Sequence, residues 1–189
     1  MLQLTENPPM MFSAASGAEL ISGDEWGRPW AIAYTKPRQE KCAARDLQEA
    51  GVSYFLPMRL RETMSGGRRR RNLYPLFASY IFLPDDEPAR QMALRTHRIV
   101  GFVAVKAPEQ PQLQKELAQL ALALVECPDK VDLYPRLTPG APVVVTAGAM
   151  KGVEGVVIDA DRKKKVLLAV TALGAGITVE IHADLLAPR

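Results

Sequence analysis

Four consecutive arginines, Arg68–Arg71, with Arg59 and Arg61 shortly before them, are the side chains of this chain best equipped for chemistry of their own. Guanidinium groups clamp phosphates and read guanine edges through paired N–H donors, so such a run suits a phosphate backbone rather than bond making. Taken alone, a charge run is more often a solvated face. The catalytic constellations are missing: His97 and His182 are the only histidines and lie far apart, and there is no G-x-x-x-x-G-K, G-x-S-x-G or H-E-x-x-H. Asp85, Asp86 and Glu87 could gather a metal, but a solvated turn after a strand explains them more simply. Cys42 and Cys127 are distant and lack a C-x-x-C spacing; Cys42 reads as a small packing residue, and a reducing cytoplasm is the simplest setting. No enzyme, cofactor or metal is expected.

The elements that must carry these arginines follow from pattern and punctuation. Trp30–Thr35 reads as a buried strand, and Pro37 can open a helix that runs to Ala50, with Ala43, Leu47 and Ala50 on one face and Gly51 as its stop. A second strand spans Val52–Thr63, Ser65–Gly67 make a turn, and a third strand spans Leu76–Leu83, so the arginines sit at a hairpin tip. A short helix from about Glu87 to Arg95 and a strand from Ile99 to Val105 follow. Leu113, Leu117, Leu120 and Leu124 then recur at helical spacing. The order β-α-β-β-α-β-α suits an α+β sandwich over residues 30–129. Residues 130–138, with Pro135, read as a linker, and residues 139–189 as a small all-β domain. Residues 1–29 are polar, rich in small residues and without clear period, and read as a mobile tail.

Charge singles out the first domain. Trp30–Gln110 holds 14 basic against 8 acidic residues, within a chain of net charge +3. It is the part that could meet a phosphate backbone. No apolar run is long enough to cross a membrane, and the N-terminus is a poor secretory signal.

In the last quarter, Val143 and Val145 mark a strand and Gly148, Gly152 and Gly155 mark tight backbone features. A second valine strand, a reversal at Asp159–Arg162 and a third strand over Val166–Thr171 follow. This order resembles the KOW module, a small barrel. Upstream, Trp30-Ala-Ile-Ala-Tyr-Thr-Lys-Pro-Arg-Gln-Glu40 resembles the opening strand and helix of the NusG family's N-terminal (NGN) domain. Pro75–Phe82 resembles its "PLFPGYVF"-type strand, and Arg98–Val103 its "R-V-x-G-F" segment. Four such segments in order cover about Trp30–Leu186.

The resemblance implies a non-catalytic transcription elongation factor with an NGN sandwich followed by a KOW barrel. It implies docking of an apolar patch on the β′ clamp helices of bacterial RNA polymerase, at positions that match here as Tyr34, Phe77, Tyr80, Phe82 and Phe102. Strand alternation keeps these aromatics from all lying on one surface, and Tyr34 and Phe77 are favoured as contacts. The basic hairpin and the N-terminal extension make the chain similar to RfaH-type antiterminators. That similarity implies contact with non-template DNA by Lys36, Arg38, Arg68, Arg69, Arg70, Arg71 and Arg98. Arg90–Ala93 stands where such relatives carry a His-Thr-rich motif, so a second polymerase contact of that form is not expected. Leu173 and Ile177 match the KOW loop that binds a ribosomal small-subunit protein of the NusE type; a Rho contact is expected to be weaker. A cytoplasmic monomer is implied, and refolding of the KOW segment is left open. From the residues alone, a ribosome- or RNA-binding KOW protein is the alternative.

Overall fold

The computed structural model describes residues 7–19, 21, 23–65, 68–128, 131–134, 140–159, 163–182 and 185–189. The chain divides into two compact units, Met1–Gln114 and Lys115–Arg189. The sequence reading places the boundary later, near residue 129. The difference lies in α4 (Gln110–Glu126), whose first turn belongs to the first unit and whose remainder belongs to the second. Among the described residues, no helix is long and apolar enough to cross a membrane.

The first unit is built on an antiparallel five-stranded sheet in the order β1-β3-β6-β2-β7. These strands are β1 (Met11–Phe12), β2 (Trp30–Thr35), β3 (Tyr54–Phe55), β6 (Tyr80–Pro84) and β7 (Ile99–Val103). Trp30-Ala-Ile-Ala lies inside the sheet, between β6 and β7, because it is apolar on both faces, and all four residues are buried. The helices α2 (Glu40–Glu49) and α3 (Glu87–Arg95) pack Ala44, Leu47, Ala89 and Ala93 against Ala31, Ala33, Ile81 and Leu83 on one face. Asp86 caps α3 by accepting the Ala89 N–H at 2.8 Å, and Asp85 pairs with Arg90 at 2.5 Å, which accounts for the first two acidic residues of that cluster. Beyond α2, the Gly51 N–H donates to the Gln48 carbonyl and Val52 N–H to that of Leu47, closing the helix where the sequence places its stop. Ala50, expected on the apolar face of α2, is exposed.

Two expected strands are each divided. Val52–Thr63 becomes β3 and β4 (Met58–Ser65), broken around Pro57. Leu76–Leu83 is not one strand: β5 (Arg68–Pro75) pairs with β4 over its full length, residues 76–79 turn, and β6 begins at Tyr80. Ser79, at φ +66, makes the turn sharp, and its N–H is held by the Glu40 carboxylate at 2.7 Å. Alternation therefore does not carry from Phe77 into β6.

The expected mobile tail is a packed segment where it is described. β1 pairs with β3, the Leu56 N–H donates to Met10 O at 2.7 Å, and the Tyr54 hydroxyl donates to Pro9 O at 3.1 Å. The Ser13 hydroxyl donates to the buried Glu25 carboxylate at 2.9 Å, and Trp26, in α1 (Gly23–Trp26), stacks on Trp30 at 5.1 Å. Its small polar residues hide this because the apolar side chains that pack, among them Met10, Met11, Phe12, Ile21 and Trp26, are scattered without a period.

In the second unit, β8 (Val131–Tyr134), β9 (Ala141–Val145), β10 (Glu154–Asp159), β11 (Lys163–Val170), β12 (Ala175–His182) and β13 (Leu186–Pro188) form one antiparallel sheet. Its order is β13-β9-β10-β11-β12-β8. This is the expected all-β unit, and β8, which lies inside the expected linker, joins it by pairing with Gly176–Val179. Residues 135–139, including the rest of that linker, and the reversal at 160–162 lie outside the described residues. Gly155 is required by close approach, because a Cβ there would meet Val166 Cγ1 at 2.5 Å and Leu167 O at 2.7 Å.

Candidate functional site

The register of the five-stranded sheet assigns the aromatic residues to faces. Tyr34 opposes Tyr80, Ile32 opposes Phe82, and Phe55 also opposes Phe82, so these residues share the face turned away from α2 and α3. Phe102 opposes Ala33 and belongs to the other face, where the Arg90 guanidinium lies 4.6 Å from its ring centroid. The five expected contact residues therefore divide. Tyr34 is 41% exposed and packs edge-on against half-buried Tyr80 at 5.5 Å. Phe77 and Phe82 are buried, 6.2 Å apart, and Phe82 continues to Phe55 at 6.0 Å. Phe77, favoured with Tyr34 as a contact, is thus a core residue in this structure. The reason is that it stands in the turn before β6 and packs edge-on against Phe82 beside it.

The helix α2 organises the cationic residues around this sheet. At its start, Lys36, Pro37, Gln39, Thr96, His97 and Arg98 line an open cleft of about 470 Å³. The Lys36 N–H donates to Arg98 O at 2.8 Å, which ties its two cationic walls together. Arg98 Nε donates to Asp46 Oδ2 at 2.5 Å and Nη1 to Gln39 Oε1 at 2.6 Å. The Asp46 hydrogen bond raises the pKa of Arg98. Anchored on that edge, the guanidinium keeps the rest of its five N–H donors for an anion. Arg38 is exposed beside the cleft, at φ +61, and His97 takes φ +56. Together with Ser79, these are the non-glycine residues with left-handed backbone among the described residues, and all three flank the start of α2. Such strain gathers where surrounding structure over-determines a site.

The arginine hairpin is a separate two-stranded sheet, β4 against β5. A lone hairpin is marginal, so its root decides its direction. Met58 is buried, the Leu76 N–H donates to Pro57 O at 2.8 Å, and Leu73 packs on the core. The Lys41 ammonium donates to Leu73 O at 2.5 Å and to Asn7 Oδ1 at 2.6 Å, and lies 6.0 Å from the Tyr74 ring centroid. Burial, with Arg45 nearby, lowers the Lys41 pKa. Toward the tip, Arg71 Nε donates to Glu62 Oε1 at 2.6 Å and Arg69 lies 3.6 Å from Oε2. The Arg71 bond holds the Glu62 carboxyl below the usual range. Only the backbone of Arg68 and Arg70 is described.

In the second unit, Leu173 is half-buried in the 3-10 turn Thr171–Leu173. Ile177 is fully buried in β12, in one row with the buried Val179 and Ile181. The turn is pinned by Glu116, whose carboxylate accepts the Thr171 N–H at 2.9 Å and hydroxyl at 2.5 Å.

Sequence reasoning missed Gln39, Asp46, Thr96 and His97 at the cleft, and Glu62, which takes up two of the four arginines. Thr96-His97 precedes Arg98 directly, a signal that was available; the partnerships with Asp46 and Gln39 span more than fifty residues and carry no local mark.

Residues 28–120 match the NusG family, described as transcription termination factor nusG. No curated protein matches the chain. A solved structure on domain interaction in Thermotoga maritima NusG is similar at a TM-score of 0.46 and 18% identity, over 85% of this chain and 96% of that one. The MjSpt4:Spt5 complex in conformation B gives a TM-score of 0.28 and 16% identity, over 84% of this chain and 95% of that one.

Proposed function

We propose that this chain is a non-catalytic transcription elongation factor of the NusG type and, within it, a specialised RfaH-like antiterminator. The observation that carries the proposal is the family match over residues 28–120, which spans β2, the arginine hairpin and the Lys36–Arg98 cleft. In this reading the Tyr34–Tyr80 face docks on the clamp helices of the polymerase β′ subunit. Large rigid side chains suit such docking because they bury much area at small entropic cost. The hairpin arginines, with Lys36, Arg38 and Arg98, contact the non-template DNA strand, which offers both phosphates and unstacked bases. The all-β unit presents Leu173 to a ribosomal small-subunit protein of the NusE type and binds Rho more weakly. The protein acts as a cytoplasmic monomer.

The test is a gel shift on a stalled bacterial elongation complex, with the full chain beside Tyr34→Asp. Binding by the wild type that Tyr34→Asp loses supports the docking face. Absence of wild-type binding overturns the elongation-factor reading.

A further inference from the structure

The arginine hairpin is a sheet of its own, so what meets its root decides how freely it swings. Its β4 arm continues β3 across Leu56 and Pro57, and its β5 arm runs on into the turn at 76–79. Residues 7–12 lie along that root, and they precede the residues 28–120 that match the family.

Asn7-Pro8-Pro9 is stiff before it packs, because each proline fixes its own φ and restricts the residue before it to extended backbone. Pro8 and Pro9 bring no N–H, so there the segment offers acceptors. The Tyr54 hydroxyl donates to Pro9 O at 3.1 Å and the Leu56 N–H to Met10 O at 2.7 Å, where the chain is about to enter β4. On the other arm, the Lys41 ammonium donates both to Asn7 Oδ1 at 2.6 Å and to Leu73 O of β5 at 2.5 Å. Beneath these bonds, Met10 and Phe12 pack on the core cluster that includes Met58 of β4, and Leu73 packs on the same cluster. The segment thus touches the approach to β4 directly and reaches β5 through one lysine.

We propose that residues 7–12 splint the arginine hairpin: they fix its root from both arms and hold its cations in the orientation in which they meet a nucleic-acid strand. The inference rests on the proposed DNA contact of the hairpin and deepens it, by making that contact depend on a segment that carries no charge of its own. A hairpin that swings must lose that freedom when it binds, whereas one held at its root has lost it on folding. A proline-stiffened segment suits the task, since its own ordering costs little.

The experiment compares the full chain with a chain that starts at Met10 and with the double variant Asn7→Ala/Tyr54→Phe. The shortened chain keeps β1 and every hairpin residue; the double variant keeps the segment and cuts its two side-chain ties. Backbone hydrogen exchange reads the root through the Leu76 amide, which donates to Pro57 O, and through the amides of β4 and β5, against those of β2 and β6. Fluorescence anisotropy of a labelled single-stranded DNA of about 12 nucleotides, at roughly 50 and 200 mM salt, reads the aim. In the shortened chain the root amides should exchange about tenfold faster or more while β2 and β6 keep their protection; a general loss of stability would speed all of them. DNA affinity should fall about fivefold, as for a hairpin aimed about one-fifth of the time, with an unchanged salt slope because no hairpin cation is lost. The double variant should show the same pattern at smaller size. Unchanged protection of the Leu76 amide in both variants overturns the splint, whatever the DNA result. Faster exchange with equal or tighter DNA binding overturns the aiming. A full chain that binds no DNA overturns the contact reading of the hairpin and the aiming with it, while the exchange still decides the splint.

Discussion

Tyr34 and Tyr80 are paired across the β2–β6 ladder, their ring centroids 5.5 Å apart and their planes inclined at 62°. The pair lies on the sheet face free of α2 and α3, and Tyr34 is its exposed member. Phe55 and Phe82 on the same face, with Phe77 in the turn before β6, are buried and form a chain of ring contacts. Exposure and support are thus divided between different aromatics.

That division predicts opposite outcomes for two substitutions. Tyr34→Asp should weaken binding to an elongation complex by about thirtyfold, the weight of a 2 kcal/mol hot spot, while the melting temperature stays close to wild type. Phe77→Ala removes a buried ring and should cost roughly 3–5 kcal/mol of stability. Denaturant titration beside the gel shift separates the two. A stable Phe77→Ala protein would show that the ring is not core.

Much of the fold was legible locally. The extent of α3, the buried strand β2 and the leucine stripe of α4 all follow from spacing, and Leu113, Leu117, Leu120 and Leu124 are buried as the period requires. What was not legible depends on distant partners. Leu76–Ser79 reads as strand because it is apolar and follows Pro75, yet Glu40, thirty-nine residues away, fixes the Ser79 N–H and makes it a turn. Residues 7–29 look unattached because their anchors, Leu56 N–H, Tyr54 and Trp30, belong to other segments. The four arginines look equivalent in sequence, and only the register of β4 against β5 sets Glu62 opposite Arg71.

Lys41 should act as a positioning residue for the hairpin. Its ammonium joins α2 to the β5 backbone at Leu73 and to Asn7. Lys41→Met keeps the length of the side chain and removes both bonds. Charge-assisted hydrogen bonds are worth roughly 1.5–3 kcal/mol. Amides near the root of β5 should therefore exchange about tenfold faster or more, while those of β2 and β6 are unchanged. Uniform protection in the variant would show that Met58 and Leu73 hold the root without it.

Tyr54 reports on the packed N-terminal segment. Its pKa is raised above the tyrosine range, first by burial and further by the charge of Glu19. The folded phenol keeps its proton where an unfolded one, titrating near pH 10, loses it. The stabilisation is thus fully present below about pH 10 and declines as pH rises from there toward the folded pKa. An absorbance titration at alkaline pH should show a late phenol that is missing in Tyr54→Phe. The same variant loses the bond to Pro9 O, at a cost of roughly 1 kcal/mol. A Tyr54 that titrates with exposed phenols would mean that residues 7–12 leave the sheet in solution.

Arg98 and Asp46 offer the sharpest test of the cleft, because one residue would touch the ligand and the other only aims it. Arg98→Gln removes a cation and should lower DNA affinity while flattening the salt slope by roughly 0.7, as for one lost phosphate contact. Asp46→Asn leaves every cation in place but replaces the charged acceptor that grips Arg98 Nε. A purely electrostatic cleft would bind DNA more tightly once that carboxylate is neutralised. A cleft that depends on the aim of the guanidinium would bind more weakly, because the freed side chain loses the geometry that keeps its remaining donors together. The grip through Gln39 Oε1 survives the substitution, so the expected loss is about two- to fivefold with an unchanged salt slope. Tighter binding by Asp46→Asn would assign the cleft to bulk charge and remove Asp46 from the site.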